Sequence, residues 1–428
     1  MDEVNRNRLE EFRQLRKEIR QSEEHVIVGI DIAKDRHHAF FGTATGKTLL
    51  RRLVFGNDHE GFRRLLEQAE ALRVQHGLKR VVYGMEPTAT YHKPLGEYLI
   101  KLGKTVVLVS GVTVARNRES LDGRWDKHDG KDSANVADLI SQGKCLYYEH
   151  PSAELRGLRG LLSLKKGLKK QEHSYRVRIR NHLIAQYYPE MDRDYERLGA
   201  EGLSIVRWCL AASEIAQLDV DPFVERVTSR RISMEKRRRL EGIWEKAAES
   251  IGCEGVPGVD HEAKIMGEGL KQIREMIRET EDKIEELCKE FLEYPYLLTI
   301  PGFGPDVSSK VLGAIGDPYR FDNGKQVLKM GGLDLSADRS GKDSDKAIPE
   351  ISKRGKADLR YALYQAAFIA STKNRDLMFY YTSKLQGREK EKGIHTKMLV
   401  KLSAKMLLIA WTVMKKKEAF NPAYLKAK

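Results

Sequence analysis

The sequence predicts an α/β domain on a mixed sheet at the N-terminal side, a middle of long paired helices, and a mainly α C-terminal part. Three observations predict it. Short β-branched runs, beginning with Val26-Ile27-Val28 and continuing to Ile30 and Ile32, alternate with helical stretches up to about residue 110. Apolar residues then recur three and four apart between Glu154 and Tyr188, and again between Leu270 and Phe291. Two long helical segments with apolar faces, Lys356 to Lys373 and Thr396 to Lys417, close the chain.

Residues 1–24 alternate acidic and basic side chains around Leu9, Phe12, Leu15 and Ile19, which predicts an amphipathic helical extension or docking arm. The domain that follows spans 25–150. Its first strand lies within His25–Asp35, and a nearly continuous apolar run of this kind is buried on both faces. Asp31 sits in it, a charge that such a strand holds only with compensation. That compensation comes either from hydrogen bonds donated by a turn or from a cation shared with other carboxylates. Arg36 to Gly42 and Lys47 to Phe55 read as two further strands, joined through Thr43-Ala44-Thr45-Gly46. A helix from about Asp58 to Leu72, a strand Arg80–Met85 ending at Glu86-Pro87, a helix near Lys93–Lys101 and a strand Thr105–Ser110 complete the pattern. Gly111 to Gly130 reads as polar and irregular, with Arg116, Arg118, Arg124 and Lys127, before a helix from Gly130 to about Gln142.

The middle, 151–292, carries Leu155, Leu158, Leu162, Leu168, Tyr175 and Ile179 on one stripe and Leu270, Ile273, Ile277, Ile284 and Leu287 on another. Two long helices with complementary stripes predict an antiparallel coiled coil, with a helical insert at about 190–266. The insert's run Lys236-Arg237-Arg238-Arg239 is either a solvated helix face or a phosphate contact. The C-terminal part, 293–428, opens on Pro301-Gly302-Phe303-Gly304-Pro305 before a helical segment, Asp306 to Ile315. A short helix near Gly324–Met330 and a Gly-, Ser- and Asp-rich loop from Gly331 to Glu350 precede the closing helices.

The 428 residues carry a net charge of +14 with 62 acidic residues, and the pI is about 9.3. A mixed but basic surface favours a polyanionic partner, nucleic acid above all. The four cysteines are far apart and form no C-x-x-C pair, which excludes a zinc ribbon or disulfide framework and fits a reducing cytosol. The opening residues are charged throughout, unlike a secretory signal, and the longest apolar run, Met406 to Met414, is too short to span a bilayer. A soluble cytoplasmic protein is expected.

Three positions can join Asp31. Glu86 stands at a strand end before a proline. Asp129 and Asp132, three apart at a helix start, share one face. Carboxylates from a central strand, a neighbouring strand end and a helix can surround Mg²⁺, which prefers oxygen ligands. Asp at a helix start also serves as an N-cap, and Asp126 and Asp138 keep the same three-residue rhythm, so spacing leaves the pair open.

These residues carry a family resemblance. Gly29-Ile30-Asp31-Ile32-Ala33-Lys34 resembles the opening motif of the DEDD-type insertion-sequence transposases, which have a RuvC-like, ribonuclease-H-like domain and are guided by a bridge RNA. Glu86-Pro87-Thr88-Ala89-Thr90-Tyr91 is similar to that family's second acidic segment, with Ala89 where glycine is usual. Lys127-His128-Asp129-Gly130-Lys131-Asp132-Ser133-Ala134 is similar to the third, departing at His128 and Ser133. The resemblance selects Asp129 and Asp132 and implies that Asp31, Glu86, Asp129 and Asp132 are catalytic and bind Mg²⁺.

Pro301-Gly302-Phe303-Gly304 before a helix resembles a helix–hairpin–helix motif, in which glycines let backbone N–H groups approach a phosphate. In the family it opens the C-terminal transposase domain. Gly316-Asp317-Pro318-Tyr319-Arg320-Phe321, Gly331-Gly332-Leu333, Ile351-Ser352-Lys353-Arg354-Gly355 and Leu359-Arg360-Tyr361-Ala362-Leu363-Tyr364 resemble later landmarks. Counting between them places Ser340 at the family's nucleophilic serine, with Ser336 and Ser344 as neighbours in register. The usual Pro-Arg pair is replaced by Leu335-Ser336. The resemblance implies a phosphoserine intermediate, and the residues themselves offer Arg339, Lys342, Lys353 and Arg354 as cations able to stabilise a pentavalent phosphate. A solvated Ser-Gly turn is the alternative that residues 338–342 themselves offer.

The expectation is therefore an insertion-sequence transposase or recombinase acting on DNA element ends and targets. The resemblance further implies a guide RNA and a dimer or tetramer whose active sites draw on different subunits, acting in a prokaryotic cytoplasm at the nucleoid. The residues also admit a Holliday-junction-resolvase-like nuclease that uses water, and a non-catalytic nucleic-acid-binding protein.

Overall fold

A computed structural model describes residues 3–122, 129–208, 210–228, 231–336 and 350–425; within these, the side chains of 3, 4, 120–122, 129, 130 and 336 are not described. The chain divides into two compact units, Met1–Pro151 and Ser152–Lys428.

The first unit runs α1 (Glu3–Glu18), β1 (His25–Asp31), β2 (Arg36–Thr43), β3 (Thr48–Gly56), α2 (His59–Gln75), β4 (Arg80–Met85), α3 (His92–Lys101), β5 (Thr105–Leu108), α4 (Gly111–Asp122), α5 (Asp129–Ser141) and β6 (Leu146–Tyr147). One six-stranded sheet is ordered β3-β2-β1-β4-β5-β6. β1 pairs antiparallel with β2 and parallel with β4, and β4 pairs parallel with β5. This mixed sheet flanked by helices is the architecture expected of a ribonuclease-H-like domain.

β1 is central, and its side chains alternate between two cores. Val26, Val28 and Ile30 pack with Leu65 and Ala69 of α2 and with Leu95 and Leu99 of α3. Ile27 packs on the other face with Val136 and Ile140 of α5 and with Leu15 and Ile19 of α1. The N-terminal helix is thus part of this domain's core: the apolar stripe that suggested a docking arm is spent on the sheet's own helix layer. Of the segment read as irregular, Gly111–Asp122 is helical. Its side chains alternate poorly between polar and apolar, and among those described Val114 is the one that is buried.

In the second unit the helices Ala153–Arg178 and Val259–Cys288 run antiparallel. Leu158 shares a core with Ile284 and Cys288, Leu168 packs with Ile273 and Ile277, and Ile179 packs with Ala263 and Leu270. Charges follow the same order: Lys165 meets Glu281 at 2.9 Å, Arg274 meets Glu172 at 3.3 Å, and Arg178 meets Glu262 at 2.5 Å. The predicted stripes therefore close on each other within one chain, and this pairing by itself offers no dimer seam. The insert builds its own core around Tyr188, Ile205, Phe223, Leu240 and Ile243. Of its basic run, Lys236 pairs with Glu201 at 2.8 Å, Arg237 with Asp221 and Glu241, and Arg239 with Glu235 at 2.6 Å. The solvated, ion-paired face is the reading these three residues support.

The C-terminal helices Tyr294–Leu298, Pro305–Ile315, Gly324–Gly331, Ala357–Lys373, Arg375–Leu385 and Ile394–Lys416 share one core. Met406, Leu407, Ala410, Val413 and Met414 are fully buried in it, so the longest apolar run is a core helix. No helix among the described residues is long and apolar enough to cross a membrane.

Candidate active site

Two of the acidic residues stand at the carboxyl ends of neighbouring parallel strands. β1 and β4 are in register at Ile30↔Met85, so the next residues along, Asp31 and Glu86, stand side by side where the strands end. Alternation places Asp31 on the same face as Gly29, and Glu86 on the same face as Gly84. That face is covered by α5. A Cβ on Gly29 would lie 2.2 Å from the Ser133 carbonyl oxygen and 2.5 Å from the Ala137 nitrogen, and one on Gly84 would lie 2.1 Å from Ile140 Cδ1. Only glycine lets the helix come down this far, with Ser133, the residue after Asp132, against β1. Glu86 turns its carboxylate towards the start of α4, where a Cβ on Gly111 would be 2.6 Å from Glu86 Oε1.

Asp132 is 4 % exposed, and its counter-charge is Arg118 of α4, with Nη2 2.6 Å from Oδ1. Asp138, which spacing left open as an alternative, has a different neighbourhood. It accepts from Asn117 Nδ2 at 2.8 Å and Gln142 Nε2 at 2.8 Å, while Asn117 also donates to Asn135 and Asn135 donates to the Val114 carbonyl. Asp138 thereby links α4 to α5 through side-chain amides that donate to its carboxylate. Asp126 and the side chain of Asp129 lie outside the described residues; the Asp129 backbone begins α5. Among the described residues no group of three or more His, Cys, Asp or Glu side chains is gathered tightly enough to hold a metal ion. Asp31, Glu86 and Asp132 are carboxylates, oxygen donors of the kind Mg²⁺ takes, and Asp132 is buried against a cation.

Ala89 has φ +45°, in the left-handed region. Its position is the one where the resembled motif carries glycine, and the backbone explains why: an L side chain pays about 1–2 kcal/mol there. His38 of β2 stands opposite Asp31 in the antiparallel register, and sequence reading assigned it no role. Arg118 was visible in the sequence only as one of several cations, because its partner is set by the packing of α4 on α5.

In the second unit, Ser340 lies outside the described residues, as do Arg339, Lys342, the alternative Ser344 and the side chain of the alternative Ser336. The two ends of their segment are described. Strands Leu335–Ser336 and Glu350–Ile351 pair antiparallel. The Lys353 N–H donates to the Gly332 carbonyl at 3.1 Å, and Arg360 Nη1 donates to the Gly331 carbonyl at 3.1 Å. A Cβ on Gly355 would lie 2.3 Å from the Gly332 nitrogen, so Gly332 and Gly355 are glycines because their backbones touch. Lys353 and Arg354 are exposed beside this junction. Gly302, with φ +85°, is explained by packing: a Cβ there would be 2.5 Å from the Ala366 carbonyl oxygen. Gly304 has open space around it and leads into the helix Pro305–Ile315. Burial pushes the thiols of Cys145 and Cys288 up to about 11 and about 12, so neither is a nucleophile near neutral pH.

Comparison with known proteins agrees with these motifs. A transposase family model of the DEDD, IS110 type matches residues 28–189, and a second, described as Transposase IS116/IS110/IS902 family, matches 294–382. The chain is similar to the "Insertion element IS110 uncharacterized 43.6 kDa protein" of Streptomyces coelicolor, 22 % identical over 91 % of this chain and 94 % of that protein. It is similar also to the "Pilin gene-inverting protein" of Moraxella bovis, 22 % identical over 92 % of this chain and 97 % of that protein.

Proposed function

The chain belongs to the IS110 family of transposases and is a DNA transposase/recombinase, and from that premise we propose a mechanism in which an acidic, cation-binding cluster and a serine nucleophile cut and rejoin DNA strands. The observation that supports this reading is the placement of Asp31 and Glu86 just beyond the register pair Ile30↔Met85, on the face covered by α5, which carries the buried Asp132. Asp31, Glu86, Asp129 and Asp132 would hold a divalent cation, Mg²⁺ by this reading. When bound, the cation supplies positive charge for a phosphate whose negative charge grows during transfer.

The chain's own residues do the rest. The Ser340 hydroxyl attacks a DNA phosphate, an O–P bond to serine forms, and the bond to the leaving strand's oxygen breaks with that oxygen taking a proton. A hydroxyl of the other strand then attacks the phosphoserine, which restores a phosphodiester and frees the serine. One ester replaces another at each step, so bond energy is conserved and rejoining needs no nucleotide cofactor. By this reading Lys353 and Arg354, exposed just after the serine segment, stabilise the pentavalent phosphate together with Arg339 and Lys342, which flank Ser340 in sequence. The N–H groups around Gly302 and Gly304 contact the DNA backbone by this reading, Gly304 being the one with open space beside it. A guide RNA that selects the DNA sites and assembly of two or four copies complete the proposal; the net charge of +14 supports a nucleic-acid partner.

The test is incubation of the protein with its element's DNA ends and the co-purified RNA. A covalent protein–DNA adduct is expected with the wild type and absent with Ser340→Ala. Undiminished cleavage by Ser340→Ala would assign the chemistry to water instead.

A further inference from the structure

β1 ends at Asp31 and β2 begins at Arg36, so residues 32–35 must reverse the chain while Asp31 keeps its place under α5. Ile32 is buried on the opposite face of the sheet, among the side chains that cover α2 and α3. The next amide, Ala33 N–H, donates to Nδ1 of His37 at 3.2 Å. Asn57 holds the remainder of the turn: its Nδ2 donates to the Lys34 carbonyl and its backbone N–H donates to the Asp35 carbonyl, both at 3.0 Å.

His37 is fully buried, and it lies on the face of β2 away from the acids, with Ala39 and Phe41. Its ring stands edge-on to Phe55 at 5.2 Å between centroids and stacks with Phe62 at 6.3 Å, which fixes the direction of Nδ1. Leucine would fill such an apolar slot without a polar atom to satisfy, and a buried polar ring left unpaired costs about 1–3 kcal/mol. What imidazole adds at this position is an acceptor for one backbone amide two residues beyond Asp31 and a polar neighbour for the Asn57 side chain, which holds the rest of the turn. Only the neutral ring accepts at Nδ1, and burial holds His37 below the usual histidine range.

We propose that His37 is a positioning residue for the acidic cluster. From the far side of the sheet it fixes the Asp31–Ala33 turn through the Ala33 amide, and so sets the direction from which the Asp31 carboxylate meets a divalent cation. The inference rests on the reading of Asp31 as a metal ligand. It needs no contact between His37 and the cation, because the restraint passes through three residues of backbone.

The experiment uses the full-length protein with Mn²⁺ as the probe. Bound ion is read by electron paramagnetic resonance, and exchange of the Ala33 amide is read by hydrogen–deuterium exchange on a peptide spanning the turn. His37→Leu keeps the apolar packing and removes the acceptor. His37→Gln keeps a polar group but carries it past the Nδ1 position, whereas His37→Asn returns an oxygen close to it. In the wild type the Ala33 amide should be protected. His37→Leu and His37→Gln should each deprotect it and weaken Mn²⁺ binding about tenfold, the scale of outer-shell substitutions at metal sites. His37→Asn should bind close to wild type. An unprotected Ala33 amide in the wild type overturns the proposal without any variant, as does a folded His37→Leu or His37→Gln that binds Mn²⁺ like wild type. Asp31→Asn separates the two layers. If it loses the ion while His37→Leu retains it, only the positioning role falls. If it binds as tightly as wild type, or the wild type binds none, the metal reading falls and takes this proposal with it.

Discussion

Arg118 Nη2 lies 2.6 Å from Asp132 Oδ1, and the two side chains are 25 % and 6 % exposed. Neither Arg118 Nε nor Asp132 Oδ1 completes an aligned hydrogen bond, so what joins them is charge. Burying each ion costs several kcal/mol, and their attraction repays it only while both are present. Because a cation bound by Asp132 would compensate the same carboxylate, Arg118 and the cation are alternatives for one partner.

Arg118→Gln therefore has a signed outcome. Without divalent ions it should lower stability by roughly 3 kcal/mol, since a buried carboxylate loses its counter-charge. Saturating Mg²⁺ should recover most of the loss, giving the variant a larger Mg²⁺-induced rise in melting temperature than wild type. Equal melting temperatures in both conditions would show that the pair contributes nothing.

Asp132→Asn and Asp138→Asn separate the two acids that spacing could not. Asp132→Asn should abolish strand cleavage by at least a hundredfold at temperatures where the variant remains folded, and should also lower stability, by less than Arg118→Gln because Arg118 is the more exposed partner. Asp138→Asn keeps an acceptor oxygen for Asn117 and Gln142 and should leave cleavage within a few-fold of wild type. A gel assay of DNA cleavage reads both, and the reverse order would move the site along α5.

Ala89 occupies the left-handed region at φ +45° just after Glu86. Glycine would escape the Cβ penalty of about 1–2 kcal/mol but would return part of it as unfolded-chain entropy. Ala89→Gly should then stabilise the domain by about 1 kcal/mol in denaturant titration. A lowered midpoint would mean that the methyl group packs favourably enough to repay its strain.

Much of the first unit was legible because its strands are short β-branched runs with one face or both buried, whereas the close approach of α5 at Gly29 and Gly84 appeared only in the structure. What the sequence withheld was tertiary. Arg118 and Asn117 are neighbours in the sequence, yet one serves Asp132 and the other Asp138, a division that appears only when α4 is laid on α5. His37 and His38 are likewise adjacent, and alternation sends them to opposite faces with different work. The helix Arg375–Leu385 was missed for a local reason: it restarts two residues after the preceding helix ends, with Asn374 as its N-cap accepting from the Leu377 N–H, so no loop composition announces the break. In the coiled coil the stripes were readable, but the charged rungs between them required the register.

One of those rungs gives the stability of the second unit a pH dependence. Lys165 is nine-tenths buried between Asp306, at 2.6 Å, and Glu281, at 2.9 Å, and Lys310 also reaches Asp306, at 2.7 Å. Burial by itself would raise the Asp306 carboxyl; hydrogen bonds from Lys165 and Lys310 outweigh it and hold the carboxyl below its usual value of 3.8. Burial would likewise lower Lys165, but Asp306 and Glu281 outweigh it and hold the ammonium above its usual 10.5. A depressed carboxyl stabilises the fold fully above its unfolded pKa and loses that contribution as pH falls through the folded value. A raised lysine stabilises it fully below its unfolded pKa and loses that contribution as pH climbs through the folded value. The rung should therefore act across the whole range between about pH 4 and pH 10 and fade at both ends. Lys165→Met removes the cation, leaves Asp306 with Lys310, and should cost about 1–2 kcal/mol at neutral pH; the figure is kept small because Asp306 and Glu281 are 44 % and 43 % exposed. Denaturant midpoints measured from pH 3 to pH 10 should show the gap between variant and wild type narrowing towards the acid end, where protonated Asp306 no longer draws on Lys165. A gap that stays constant through pH 3 would place the cost of Lys165→Met in packing of the lysine stem and leave the ion pairs without a share in it.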